Sequence, residues 1–160
     1  MSDKLAIRQH AVKSGDQACD AYAALIDQVG RLANVVEAIG NGIARPTGQS
    51  LARWQVLAEV EDEAAPVVAI ASQLGHTRQS VQRVADLLVE DGLACYQPNP
   101  AHQRAKLLEV TPTGRAALHR MQTAYTQLAL RTTEGLDADR LALARETLSE
   151  LQRRLESELP

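Results

Sequence analysis

Six residues at helical spacing, Thr77, Arg78, Gln79, Ser80, Gln82 and Arg83, carry the donors and acceptors needed to read the edge of a base pair. A glutamine amide matches N6 and N7 of adenine and a guanidinium matches O6 and N7 of guanine, each pair worth about 1 to 3 kcal/mol of discrimination. Gln79 or Gln82 would serve for the first and Arg83 or Arg78 for the second. Thr77 and Ser80 suit phosphate oxygens, because the first N–H groups of a helix point the same way. Opposite this polar face lie Val81, Val84, Ala85 and Leu88, while Asp86, Glu90 and Asp91 make the far end acidic. Such a polarity favours insertion of the N-terminal half into a major groove. Arg104 and Lys106 would extend the contact to the minor groove or the backbone. The same polar face would also serve a winged helix that binds protein instead of DNA.

Other chemistries find less support. His10, His76, His102 and His119 have no metal-ligand spacing, no Ser-His-Asp grouping suggests itself, and no glycine-rich phosphate loop is present. The chain therefore reads as a non-enzyme without cofactor or metal. Cys19 and Cys95 form no Cys-x-x-Cys pair, which fits a reducing compartment. With no apolar run of membrane-spanning length and no signal-peptide core, the expected location is the cytoplasm. The net charge of −3 gives no support to nucleic-acid binding. Locally the balance reverses, since Arg78, Arg83, Arg104 and Lys106 slightly outnumber Asp86, Glu90 and Asp91 between His76 and Lys106. A weak basic patch binds DNA when geometry concentrates it.

The elements that position these residues can be read from periodicity. Val67 to Leu74 predicts a short helix, Gly75 a tight turn, and Thr77 the N-cap of a helix running to Glu90 and stopped by Asp91-Gly92. With the small Ala71 allowing close approach, this is a helix-turn-helix. Leu93 to Pro98 and Ala105 to Thr111 predict a two-stranded wing around the turn-rich 99–103 tip. Upstream, a helix from about Ser50 should bury Leu51, Trp54, Leu57 and Ala58, with Val60 at its edge, and end at Glu61-Asp62-Glu63. Ala65-Pro66 reads as a break and residues 1–14 as a loose arm or short helix.

Outside this centre lie three amphipathic helices. Ala18, Ala21, Leu25, Val29, Leu32, Val36, Ile39 and Ile43 recur at intervals of three and four, predicting a long helix that ends near Gly40-Asn41-Gly42. Thr111-Pro112 starts a second, to about Thr132, and Leu141, Ala144, Leu148, Leu151 and Leu155 mark a third beginning near Asp137. A helix-turn-helix commonly reads a pseudo-palindrome as a dimer, so these uncovered apolar faces are expected to form a homodimer interface. The alternative is an intramolecular three-helix cap on a monomer.

The order of parts resembles the MarR family of winged-helix transcriptional regulators over essentially the whole chain. The resemblance rests on Trp54 to Leu57, Leu74-Gly75, Ser80-Val81, Leu87 to Gly92, and Arg104 through Leu108 to Val110-Thr111. It implies one mainly α domain, 1–160, with a small β-wing: a winged helix-turn-helix DNA-binding region over 50–111, and helical dimerisation regions over 16–45 and 112–158. It further implies a homodimer on double-stranded operator DNA, commonly a repressor, and a small-molecule effector bound near the junction of the two regions. Asn34, Glu37, Asn41, Arg53, His119 and Tyr125 are polar residues such a pocket could draw on. Two positions depart from the family's wing: His102 stands where an acidic partner for Arg104 is usual, and Val110 where leucine is common. Peroxide-sensing members carry a reactive cysteine in the region of Cys19, which offers a redox reading as a second alternative.

Overall fold

The computed structural model describes residues 16–100 and 105–159. Two compact units divide the chain, one up to Met121 and one from Gln122. The first holds α1 (Gln17–Ala44), α2 (Leu51–Ala58), β1 (Ala65–Pro66), α3 (Val67–Leu74), α4 (Arg78–Glu90), β2 (Ala94–Gln97) and β3 (Leu107–Val110). It also holds the first half of α5 (Pro112–Thr132), whose second half belongs with α6 (Ala138–Glu156) to the other unit. Among the described residues no helix is long and apolar enough to cross a membrane.

Helix starts follow side-chain chemistry closely. Asp16, Ser50, Thr77 and Asp137 each accept a hydrogen bond from an N–H of the helix that follows, satisfying one of the donors a helix start leaves without a partner. Gly75 and Gly92 take positive φ values of 65° and 71° after α3 and α4, as expected for residues that close a helix. His76 N–H then donates back to the Ala71 carbonyl at 2.9 Å, completing the turn of the helix-turn-helix.

Several expectations need correction. Gly40 and Gly42 do not end α1, which continues to Ala44. Gly40 serves proximity instead: a Cβ there would lie 2.7 Å from Leu51 Cδ1. Its neighbour Asn41 accepts from the Leu51 N–H at 2.9 Å, so the glycine lets α1 and α2 meet. Helix α2 stops at Ala58, before the acidic run, and Ala58 is exposed, while Val56 and Val60 join Leu57 in the core. Leu51 and Trp54 are half-buried. Ala65-Pro66 is not merely a break but a third strand, pairing with Pro66 opposite Leu107. The sheet order is β1-β3-β2, all antiparallel, and both wing strands are shorter than their sequence patterns. A proline is admissible here because β1 lies at the sheet edge.

One core serves the first unit. Leu57, Ile70, Val81, Ala85, Leu88, Leu108, Leu118 and Met121 are buried together, so α4 is fastened by the face opposite its polar residues. Arg53 reaches from α2 to the end of α4, donating to the Leu87 carbonyl at 3.1 Å and pairing with Asp91. The Leu87 carbonyl already accepts the Asp91 N–H, so Arg53 adds a second donor there and places a cation at the negative end of the helix. The contact also gives Arg53 a task other than lining a pocket.

Candidate nucleic-acid interface

Thr77 fixes where α4 begins: its Oγ1 accepts from the Ser80 N–H at 3.2 Å. The Ser80 hydroxyl donates to the Thr77 carbonyl at 2.8 Å. Its hydrogen is thereby used within the turn, whereas the Thr77 oxygen is an acceptor in this pair and keeps its hydrogen for an outside acceptor. Thr77, Arg78, Gln79, Ser80 and Arg83 are all exposed. They form the rim of a helix whose apolar face is held by Val81, Ala85 and Leu88, so their outward direction is set by the core.

Gln82 is placed differently from its neighbours. It is half-buried, and its Nε2 donates to Asp86 Oδ1 at 2.9 Å and to the Tyr96 hydroxyl oxygen at 2.7 Å. Tyr96 in turn donates to Asp86 Oδ1 at 2.7 Å. The strand register explains the meeting. Tyr96 faces Leu108, and Ala94 faces Val110, so these residues share the side of the sheet turned toward the core. The phenol is pushed up from 10.0 to about 12, first by burial, then by its hydrogen bond to Asp86 and the negative charge there, with Gln82 pulling the other way. Lys106 lies over the same ring, its Nζ 5.9 Å from the centroid, within cation–π range.

A cleft of about 430 Å³ lies between the start of α3, the start of α4 and the wing, bounded among others by Val67, Arg78, Gln82, Tyr96 and Lys106. It brings Arg78 and Lys106, far apart in sequence, to one site; none of Asn34, Glu37, Asn41, Arg53, His119 and Tyr125 borders it. Along α4 a shallower groove runs past Arg78, Gln79, Gln82, Arg83 and Asp86. Arg104 and His102 lie outside the described residues. Tyr96 was absent from the residues singled out in the sequence: strand alternation puts it on the same side as Ala94, but its meeting with Gln82 and Asp86 joins separate elements.

The cysteines are unremarkable in their surroundings. Cys19 is exposed and its thiol donates to Asp16 Oδ2 at 3.6 Å, while Cys95 is half-buried beside Gln97; both are free thiols. Among the described residues no group of three or more His, Cys, Asp or Glu could hold a metal ion.

The raised phenol makes a pH prediction. A proton held more tightly in the folded state stabilises fully below the unfolded pKa and is lost above it. Stability from Tyr96 is therefore intact below about pH 10 and falls away as the pH rises toward about 12. Urea midpoints compared between the wild type and Tyr96→Phe across this range should show the steeper decline in the wild type; parallel curves would contradict the assignment.

Known proteins share this arrangement. Residues 47–105, spanning α2 to the wing, match the model of the MarR family. The uncharacterised protein Rv2011c of Mycobacterium tuberculosis is 36% identical over 141 residues, covering 88% of this chain and 99% of its own length. The chain belongs to the MarR family. Within that family, the crystal structure of the Escherichia coli MarR mutant C80S complexed with operator DNA matches with a TM-score of 0.68 at 25% identity, covering 79% of this chain and 94% of that one. CouR of Rhodococcus jostii RHA1, crystallised with p-coumaroyl-CoA, matches with a TM-score of 0.70 at 23% identity, over 78% of this chain and 88% of its own. A mainly helical MarR winged-helix fold with a small three-stranded sheet is thus the architecture of the chain.

Proposed function

We propose that this MarR-family protein is a homodimeric, sequence-specific DNA-binding regulator that represses from a pseudo-palindromic operator and is released by a small molecule. The observation that carries the reading is the exposed first half of α4, where Arg78, Gln79 and Arg83 project from a helix clamped by its opposite face. Thr77, Arg78, Gln79, Ser80 and Arg83 contact the major groove and its phosphates in this reading, while Gln82, on the same face, has its amide nitrogen on Asp86 and Tyr96 instead. Lys106, together with Arg104, brings the wing to the flanking backbone. The solved operator complex of Escherichia coli MarR supports the choice of partner. The exposed apolar residues of α1, among them Leu32, Val35 and Val36, and separately those of α6 support self-association. Release by a ligand draws its support from CouR, which binds an acyl-CoA in its crystal.

An electrophoretic shift on the DNA flanking its own gene, with random competitor and a salt series, tests this. Retention over competitor is expected, and equal competition by random DNA would leave a protein-binding winged helix as the better reading. Within the same assay Arg83→Ala should weaken operator binding about tenfold to a hundredfold and lower the preference over random DNA. Lys106→Ala should weaken both DNAs alike and reduce the salt slope by about one. Equal effects of the two substitutions on operator and random DNA would reject their assigned roles. For the ligand, a thermal-shift screen of aromatic acids and their CoA thioesters should raise the melting temperature and weaken the operator complex.

A further inference from the structure

Gln82 stands on the recognition face of α4, yet its hydrogen bonds run back into the protein. Its amide nitrogen contacts two acceptors, Asp86 Oδ1 at 2.9 Å and the Tyr96 hydroxyl at 2.7 Å, so that end of the amide is turned toward the protein. The carboxylate, which accepts and does not donate, fixes which end of the amide faces it. Tyr96 closes the triangle by donating to the same Asp86 oxygen at 2.7 Å. Reading adenine requires a glutamine to donate from its nitrogen to N7 while its oxygen accepts from N6. With its nitrogen turned onto these two acceptors, Gln82 can do this only by swinging its amide away from them, and one is a carboxylate, whose hydrogen bonds are among the stronger kind.

We propose that Tyr96 is a positioning residue that sets base preference: it holds Gln82 off the bases and leaves major-groove reading to Arg78, Gln79 and Arg83. The proposal rests on the DNA-binding reading given above. Tyr96→Phe keeps the ring that packs beside Leu108 and under Lys106, and deletes the hydroxyl alone. One of the two acceptors that hold the Gln82 amide inward is then gone, and the amide is freer to turn toward the groove.

Selection of binding sites from randomised duplex DNA by the full-length wild type, Q82A, Y96F and Y96F/Q82A separates the outcomes. The wild type and Q82A should enrich the same site, with affinities within about twofold at each base position. Y96F should gain about tenfold preference for adenine at one position of each half-site, the scale of a single bidentate contact. That gain should vanish in Y96F/Q82A. A purely structural loss would weaken every sequence alike and create no new preference. Loss of an adenine preference in Q82A, or wild-type preferences in Y96F, would overturn the proposal while leaving DNA binding in place. Enrichment of no site by the wild type would overturn the DNA-binding reading and this proposal with it. Should Y96F fail to fold, Q82A still decides between an unchanged site and a lost adenine preference.

Discussion

Gly114→Ala should lower the stability of the protein by about 3 kcal/mol, at the upper end of overpacking costs, and its melting temperature by roughly 6 to 12 °C. The residue sits in the first turn of α5, where alanine would ordinarily gain about 1 kcal/mol over glycine. Geometry reverses the sign. A Cβ on Gly114 would lie 1.9 Å from the Leu93 carbonyl oxygen and 2.9 Å from both the Leu93 carbonyl carbon and Val110 Cγ2. The obstacle is backbone, and it is pinned: the Leu93 carbonyl accepts from the Thr111 N–H at 3.0 Å, and the Leu93 N–H donates to the Leu88 carbonyl at 2.9 Å. Nor can the start of α5 swing away freely, since Thr111 Oγ1 donates to the Gly92 carbonyl at 2.7 Å and accepts from the Gly114 N–H at 3.1 Å. Gly42→Ala is the matched control, because that helical glycine has nothing within 4 Å of its missing Cβ. It should be neutral or stabilising by up to about 1 kcal/mol. Thermal melts of the two variants giving the same sign would refute the contact argument.

The contrast between these glycines shows where the sequence stops being informative. Periodicity and capping signals located the α-helices of the described residues, because a cap is made by residues next to the helix it starts: Asp16, Ser50, Thr77 and Asp137 all act within two or three positions. The exposed rim of α4 was equally legible, since Val81, Ala85 and Leu88 fix its orientation by spacing alone. Contacts between distant segments were not. Gly40 looked like a helix terminator because the chain does not reveal that Leu51 will press against it. Ala65-Pro66 looked like a break because two residues carry no alternation, and their strand character comes from Leu107 and Leu108 across the sheet. The hydrogen bond of Gln82 was hidden for the same reason: its spacing on α4 suits an adenine reader, and the Tyr96 hydroxyl that meets its amide arrives from β2, fourteen positions away.

Distance in sequence matters most for the surfaces that a single chain leaves uncovered, and α6 gives the second large effect. Leu141 and Leu148 are 46% and 39% exposed, on a helix none of whose residues is buried. In an isolated chain, exchanging exposed leucines for glutamates, themselves good helix formers, costs no more than about 0.5 kcal/mol. Within an apolar seam between two copies the same change places carboxylates where nothing pairs with them, a penalty of several kcal/mol. Leu141→Glu combined with Leu148→Glu is therefore expected to convert a dimer into single chains in sedimentation equilibrium at micromolar concentration. Operator affinity should then fall about 10² to 10⁴-fold, because two half-sites no longer bind as one linked unit. Helix α4 itself is untouched, so on the proposed reading affinity for an isolated half-site should stay within about twofold. A wild type that sediments as a single chain, with the double variant unchanged in mass and in operator binding, would instead mean that the apolar faces are not a dimer interface. The half-site control also distinguishes lost assembly from lost folding, because an unfolded variant would bind neither DNA.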